Sequence, residues 1–302
     1  MSRIDISRRR FVQLAGTAAA APLASHGAEP LSANAIAVRL RAELGGDWIT
    51  DGNDGFKAGD PDTPIRGIAT TAMATVDVLR KAAGAGANLI VTLEPTFFGR
   101  SDGPPPPAPP GGRRGFPGLS EDDPVYRAKK KLIEDRGLVV FRLHDNWLAQ
   151  RRAEMTTGLA ESLGWGERRS DDALYEIPAT SAEEAVAHVR AKLGLRGGLR
   201  AVGDRKAAVR RVLLYPGFLD AQTMWKRYRD ADLTLAGEVR EWENTCYAAD
   251  AFTAGEKRAL VTIGRVASQD PGMRRCAEWL ATVLPETPVR SIPAGDLYWR
   301  AV

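Results

Sequence analysis

Four stretches of the sequence place ionisable side chains where an apolar run ends. Glu94 follows "GANLIVTL", the trio His144, Asp145 and Asn146 follows "LVVFRL", and Glu238 follows "ADLTLAG", with Glu241 and Glu243 just beyond it. Arg265 follows "RALVTIG", with Ser268, Gln269 and Asp270 after it. Carboxylates beside an imidazole suit two kinds of chemistry: acid–base transfer, with Glu94 and His144 as partners, or a single divalent ion that activates water. In a sheet protein such strand ends converge on one rim, so a shared pocket is expected. Each stretch also has a plainer reading. His144 serves as a hydrogen-bonded rim residue, Asp145 and Asn146 end a strand and cap the following turn, and "EVREWE" is a solvated loop. Trp242, Trp279 and Trp299 read as core or subunit interface.

The elements that must position these groups alternate in type. "LSANAIAVRLRAELGG" (31–46) has helical spacing and a glycine stop. "GIATTAMATVDVLRKAAGAGANLIVTLEP" reads as a strand, an amphipathic helix over 75–83, a glycine turn and a buried strand. That is a β-α-β unit with Glu94 at the carboxyl end of its second strand. A helix over 124–135, Gly137 and a strand over 138–143 then lead into His144. Further on, "SAEEAVAHVRAKLG" is a helix capped by Thr180 or Ser181. "VRRVLLYPG", "ADLTLAGE" and "RALVTIG" are strands, and "NTCYAADAFTAGE" is a helix. "PGMRRCAEWLATVLP" is a helix with Pro271 near its first turn, and "PVRSIPAGDLYW" is a closing strand. The class is α/β, with helices on both faces of the sheets. The stretch "SDGPPPPAPPGGRRGFPGLSEDDP" leaves the strand end that carries Glu94; it reads as a surface loop or a lid.

The first residues belong to export. Ser7, Arg8, Arg9, Arg10, Phe11, Val12 and Gln13 follow the twin-arginine pattern, and an Ala-rich run leads to small residues near Gly27 and Ala28. That run is too short for a permanent span, so a periplasmic or exported protein is expected, with no stable membrane span after cleavage. Of the formal net charge of +4, residues 1–27 carry four arginines and one aspartate, a net of +3, which leaves about +1 for the remainder. The basic balance therefore gives no reason to expect nucleic acid as a partner. Cys246 and Cys276 would meet an oxidising compartment, where pairing depends on a distance that spacing does not give.

Taken in order over residues 47–300, "DGNDGFKAGDPDTPIRGIATTAMATVDVLRKAAGAGANLIVTLEPTFFG", "FRLHDNW", "AGEVREWENTCYAADAFTAGEKRALVTIGRVASQDPGM" and "IPAGDLYW" resemble the Nif-three-like dinuclear-metal-centre family. Its members are also labelled GTP cyclohydrolase type 2 homologues. The resemblance implies two intertwined α/β lobes, hexameric assembly with copies of the chain or with a paralogue, and two divalent metal ions between the lobes. With the signal set apart (1–27), the chain divides into an N-terminal lobe (28–150) with its Pro/Gly-rich loop (101–124), a connecting segment (151–205) and a C-terminal lobe (206–302).

The metal positions depart from the family pattern one by one. Two histidines and a proline, or His-Glu-Pro, become Leu93, Glu94 and Pro95. The histidine followed four residues later by an aspartate or histidine becomes His144 and Leu148. The Gly-His and Ser-Glu pairs become Gly264-Arg265 and Ser268-Gln269. Arginine does not deprotonate to act as a ligand, and its cation repels metal. Past the signal the chain has only His144 and His188, the latter in a helical context. Metal is therefore expected to be absent or substoichiometric, with Arg265 lying against Glu94 and Asp145 or Glu238 in range as a second carboxylate. The function that follows is a non-catalytic or weakly metal-binding pocket or assembly protein. The alternative is a metal-dependent hydrolase with a rebuilt mononuclear site of Glu94, His144, Asp145 and Glu238. The substrate or small-molecule ligand is not specified by these residues.

Overall fold

The computed structural model describes residues 29–99, 102, 119, 121–166 and 171–299. The twin-arginine segment and most of the Pro/Gly-rich loop lie outside the described residues. The chain begins with α1 (Ala33–Leu44), capped by the Ser32 hydroxyl, which accepts the Ala35 amide. Strands β1 (Gly55–Ala58) and β2 (Ile68–Thr71), helix α2 (Val76–Gly84), strand β3 (Leu89–Thr92), helix α3 (Pro124–Asp135) and strand β4 (Val139–Arg142) follow. Helix α4 (Asp145–Ser162), strand β5 (Leu174–Ser181), helix α5 (Ala182–Leu193) and strands β6 (Arg200–Gly203) and β7 (Ala208–Phe218) come next. Helix α6 (Ala221–Arg227), strand β8 (Leu233–Glu238), helix α7 (Cys246–Thr253), strand β9 (Ala259–Thr262), helix α8 (Arg265–Val283) and strand β10 (Val289–Ser291) complete the order.

Two five-stranded sheets result, in the orders β1-β4-β3-β2-β10 and β5-β7-β8-β9-β6. In the first, β4, β3, β2 and β10 run parallel and β1 is an antiparallel edge. In the second, β7, β8 and β9 run parallel between the antiparallel edges β5 and β6. Strands β2, β3, β4 and β9 are buried at every position, which is why they read as unbroken apolar runs rather than as alternation. Their side chains still alternate between faces. Leu89 and Val91 join the core beneath α1 and α8, whereas Ile90 joins the one beneath α2 and α3. Helices α4 and α8 serve both sheets. Trp147 and Met155 of α4 pack on the first-sheet core, while Leu159 and Ala160 pack on the second.

Several sequence expectations change here. Segment 151–205 is more than a connection: β5 and β6 are the two edges of the second sheet, and α4 runs through residue 150. The last strand is only Val289–Ser291 and belongs to the first sheet, so the chain returns to the lobe where it began. Beyond it Asp270 takes the Gly295 amide, and Asp296 takes those of Arg196, Gly197 and Gly198, so no ladder continues. Helix α8 starts at Arg265, six residues before Pro271, which lies inside it. Proline favours a first turn, but burial of Ser268, Gln269 and Asp270 against both sheets extends the helix past that local preference. Cys246 is exposed on α7 and Cys276 buried in α8, and both are free thiols. Among the described residues no helix is long and apolar enough to cross a membrane.

Close approach of α4 and α8 depends on two glycines. A Cβ at Gly158 would overlap the Pro271 carbonyl, and one at Gly272 would overlap Met155. On the outer face of the first sheet, Lys129 of α3 is 1% exposed, and its ammonium donates to the Thr96 carbonyl and lies 4.7 Å from the Phe98 ring centre. Asp102 holds the same loop by accepting the Thr96 and Phe97 amides at 2.8 and 2.7 Å. Burial pushes Lys129 down to about 8 from its ordinary 10.5, and Asp102 opposes the shift.

Two stability measurements follow. Gly158→Ala is expected to cost about 1–3 kcal/mol in urea unfolding, whereas Gly84→Ala, with open space at its Cβ, is expected to gain about 0.4–1 kcal/mol. Equal effects would remove the close-approach argument. Between pH 8 and 10.5 folded Lys129 binds fewer protons than its unfolded counterpart, so its contribution to stability rises with pH across that window. The wild-type slope there is expected to exceed that of Lys129→Met by on the order of 1 kcal/mol per pH unit. Parallel profiles would show that the ammonium is not desolvated.

Candidate functional site

The carboxyl ends of the parallel strands in both sheets meet at the first two turns of α8. Glu94 leaves β3 with its amide on the Ala72 carbonyl at 2.8 Å, and the residue is 7% exposed. Gly264, at φ 92, occupies a conformation that favours glycine, and from there the chain turns from β9 into α8. Arg265 is the first helical residue. Its Nε donates to Glu94 Oε1 at 2.7 Å and one terminal nitrogen donates to Glu238 Oε1 at 3.1 Å. Gln269, one turn later, donates its Nε2 to the same Glu94 oxygen at 2.8 Å. Burial opposes the Arg265 charge, but Glu94 and then Glu238 outweigh it and hold the guanidinium above its usual range. A buried carboxylate between a cation and an amide is the arrangement that offsets its loss of water.

The next residues of α8 tie down backbone. Ser268 Oγ accepts the Gly217 amide at 2.9 Å and donates to the Arg265 carbonyl. Gly237 passes so near Ser268 that a Cβ would overlap its hydroxyl. The two oxygens of Asp270 accept the amides of Ala72 and Gly295. Burial pushes the Asp270 carboxyl up, against those amide bonds.

His144 stands at the start of α4 and lines a cavity of about 270 Å³ together with Leu148, Arg265 and Gln269. Its Nδ1 lies 2.7 Å from Asp145 Oδ1, which makes it the protonated nitrogen. The other Asp145 oxygen accepts the backbone and side-chain amides of Asn53. Burial opposes ionisation of Asp145, but the bonds from Asn53 and His144 outweigh it and hold the carboxyl below its usual range. Sequence reading missed the group that caps α4. Asp54 accepts the amides of His144, Asp145 and Asn146, and also the Asn146 side chain at 2.8 Å. Its signal was available in "DGNDG", where Asx residues and glycines announce a capping turn.

Of the residues singled out, Glu94, Glu238, Arg265 and Gln269 form one connected cluster, and His144 joins it across the cavity. Asp145 is the anchor of His144. Asn146 is buried and turned to the 49–54 loop, taking the Ile49 amide at 2.8 Å. Glu241 stands apart in a π-turn and faces Arg200 at 3.5 Å on the surface, with Glu243 paired to Arg240. Leu93 is fully buried in the core, and His188 in α5 hydrogen-bonds the Leu163 carbonyl. Trp279 packs against Trp147, while Trp242 and Trp299 are exposed. Among the described residues no three His, Cys, Asp or Glu side chains converge as a metal site would require.

Removing the cation tests the cluster. Arg265→Ala is expected to destabilise the fold by about 3 kcal/mol in chemical denaturation, since Glu94 would keep only Gln269. Glu94→Leu combined with Arg265→Met should recover most of that loss. A cost under about 0.5 kcal/mol for Arg265→Ala, as at an exposed pair, would refute the buried-charge account.

No protein-family model and no curated protein sequence matches the chain. Solved structures do. The Staphylococcus aureus hypothetical protein SA1388 superposes with a TM-score of 0.66 at 14% identity, covering 91% of this chain and 100% of that one. A Bacillus cereus protein related to NIF3 gives 0.61 at 12% identity over 90% and 100%. Reduced HcgD from Methanocaldococcus jannaschii gives 0.57 at 15% over 86% and 97%. At these identities the likeness is one of architecture, and the fold of this chain is that of the NIF3-related proteins.

Proposed function

We propose that this chain is an exported, self-assembling member of the Nif-three-like family that acts by binding at its inter-lobe pocket, without the family's dinuclear metal chemistry. One observation carries the reading: Arg265, at a position where the family resemblance places a histidine ligand, is bonded to both Glu94 and Glu238. Two divalent ions would bring about four positive charges to that point, and a guanidinium neither deprotonates nor coordinates. Leu93, Leu148 and Gln269 supply no anionic donor at the other positions. These residues do not fit a metal pair. The rebuilt mononuclear site fits no better, because Glu94 and Glu238 are given to Arg265 and Asp145 to His144 and Asn53. Export rests on residues 7–13, outside the described part, and self-assembly is supported by exposed Trp242, Tyr298 and Trp299.

A single preparation tests the whole reading. The full chain is expressed in a bacterium competent for twin-arginine export, recovered from the periplasmic fraction, sized by light scattering and subjected to elemental analysis. The expected result is an assembly of several copies with well under one transition-metal ion per subunit. Two tightly held ions per subunit would overturn the metal-free reading; a cytoplasmic or monomeric product would overturn export or assembly.

A further inference from the structure

After β10 the chain leaves the first sheet and crosses to the second lobe as segment 292–299, which has no regular secondary structure. Its hold is polar and concentrated at two points. The Gly295 amide donates to Asp270 Oδ2 at 2.6 Å. Asp296, 8% exposed, turns its carboxylate into three successive backbone amides just before β6. Its Oδ2 accepts those of Arg196, Gly197 and Gly198 at 2.7, 2.9 and 3.1 Å. The Arg196 guanidinium donates to the Asp296 carbonyl at 2.7 Å, and Oδ1 accepts the Tyr298 amide at 3.0 Å. Successive amides converging on one oxygen form an anion nest, and glycine lets it close: a Cβ at Gly198 would lie 3.0 Å from Asp296 Oδ1. Burial opposes ionisation of Asp296, but the amides outweigh it and hold the carboxyl below its usual range. Within one subunit the apolar side chains add little, since Leu297, Tyr298 and Trp299 are 57%, 62% and 78% exposed. The crossing also encloses space at the ion-pair cluster. A cavity of about 390 Å³ is lined by residues 295–298 together with Glu238, Arg265 and Ala267. A second, of about 370 Å³, is lined by Gly197, Gly198 and Tyr298 with the same Glu238 and Arg265.

We infer that segment 292–299 is a releasable strap, closed by the Asp296 carboxylate in the 196–198 nest, which governs entry to the cleft at Glu238 and Arg265. The inference rests on the binding role proposed above and supplies its regulation. A segment held at two polar points, outside any ladder or helix, opens at low cost compared with the elements it joins. Release of the strap leaves the nest unfilled. Three amides with a guanidinium beside them then recognise a small carboxylate, the chemistry they already hold within the chain. While the strap is closed its carboxylate is tethered beside the nest, at an effective concentration that a free anion does not match.

Two readouts on the full-length protein test the strap, one at the nest and one in the cleft. Hydrogen exchange read by mass spectrometry follows the amides of 196–198 in wild type and in Asp296→Ala, with β3 and β4 reporting on the fold. The variant is expected to exchange at least about tenfold faster at 196–198, as loss of a charged acceptor implies. Acetate at about 0.1 M, with ionic strength matched by chloride, should restore most of that protection, and acetamide should not. For the cleft, Ala267→Cys is placed in a Cys246→Ser background, Cys276 being buried. Its labelling by a maleimide is expected to be at least about tenfold faster with Asp296→Ala than without it. Unchanged exchange at 196–198, no rescue by acetate, equal rescue by acetamide, or equal labelling rates would each overturn the inference. Loss of protection in β3 and β4 would overturn it too, since the segment would then belong to the core. Elemental analysis of the wild-type sample separates the two readings. Metal at stoichiometric level with both responses intact refutes the metal-free reading alone, and a metal-free sample lacking them refutes the strap alone.

Discussion

Everything at the centre of this protein depends on keeping the carboxylate of Glu94 compensated where water barely reaches it. The residue sits at the end of a fully buried strand, 7% exposed, and a polar group there without hydrogen-bond partners is costly to bury. Arg265 and Gln269, one helical turn apart, supply the cation and the amide that hydrogen-bond it there. The spacing of four places both on one face of α8. The helix is therefore fixed in rotation and in register against the first sheet before any apolar side chain further along it is counted.

From that anchor the same two turns reach the second sheet. Ser268 takes an amide from the end of β7, and Arg265 extends to the end of β8. Asp270 turns back to the end of β2 and to the tail. Two sheets with separate cores are thus joined through polar groups at their strand ends and through the α4–α8 contact at Gly158 and Gly272. Polar joining is directional. It defines one relative placement of the sheets where an apolar interface of equal area would tolerate several.

Much of this was legible in the sequence, and for definable reasons. Continuous apolar runs bounded by glycine gave β2, β3, β4, β8 and β9, and capping chemistry gave α5, where Ser181 and Glu184 form the reciprocal cap. The pairing of Arg265 with Glu94, which the structure shows, was implied by the family resemblance, which puts both residues at ligand positions of one site. Edge strands β1 and β6 were missed because four-residue segments of mixed polarity carry little periodicity. The start of α8 was missed because Pro271 is a strong local signal and the contacts that override it are made to residues 51 to 198 positions away.

The return of β10 to the first sheet makes the second lobe a long insertion within the first, entered after β4 and left before β10. A chain threaded this way has no single point at which a cut separates two self-sufficient halves. Either fragment would lack a strand, or the helix α8, that the other lobe requires. Loss of one lobe therefore exposes the core of the other, and the molecule is built to melt as a single cooperative unit. Such wiring keeps the inter-lobe cleft from being pulled apart by drift at its lining, so residues there can be exchanged while the scaffold around them persists.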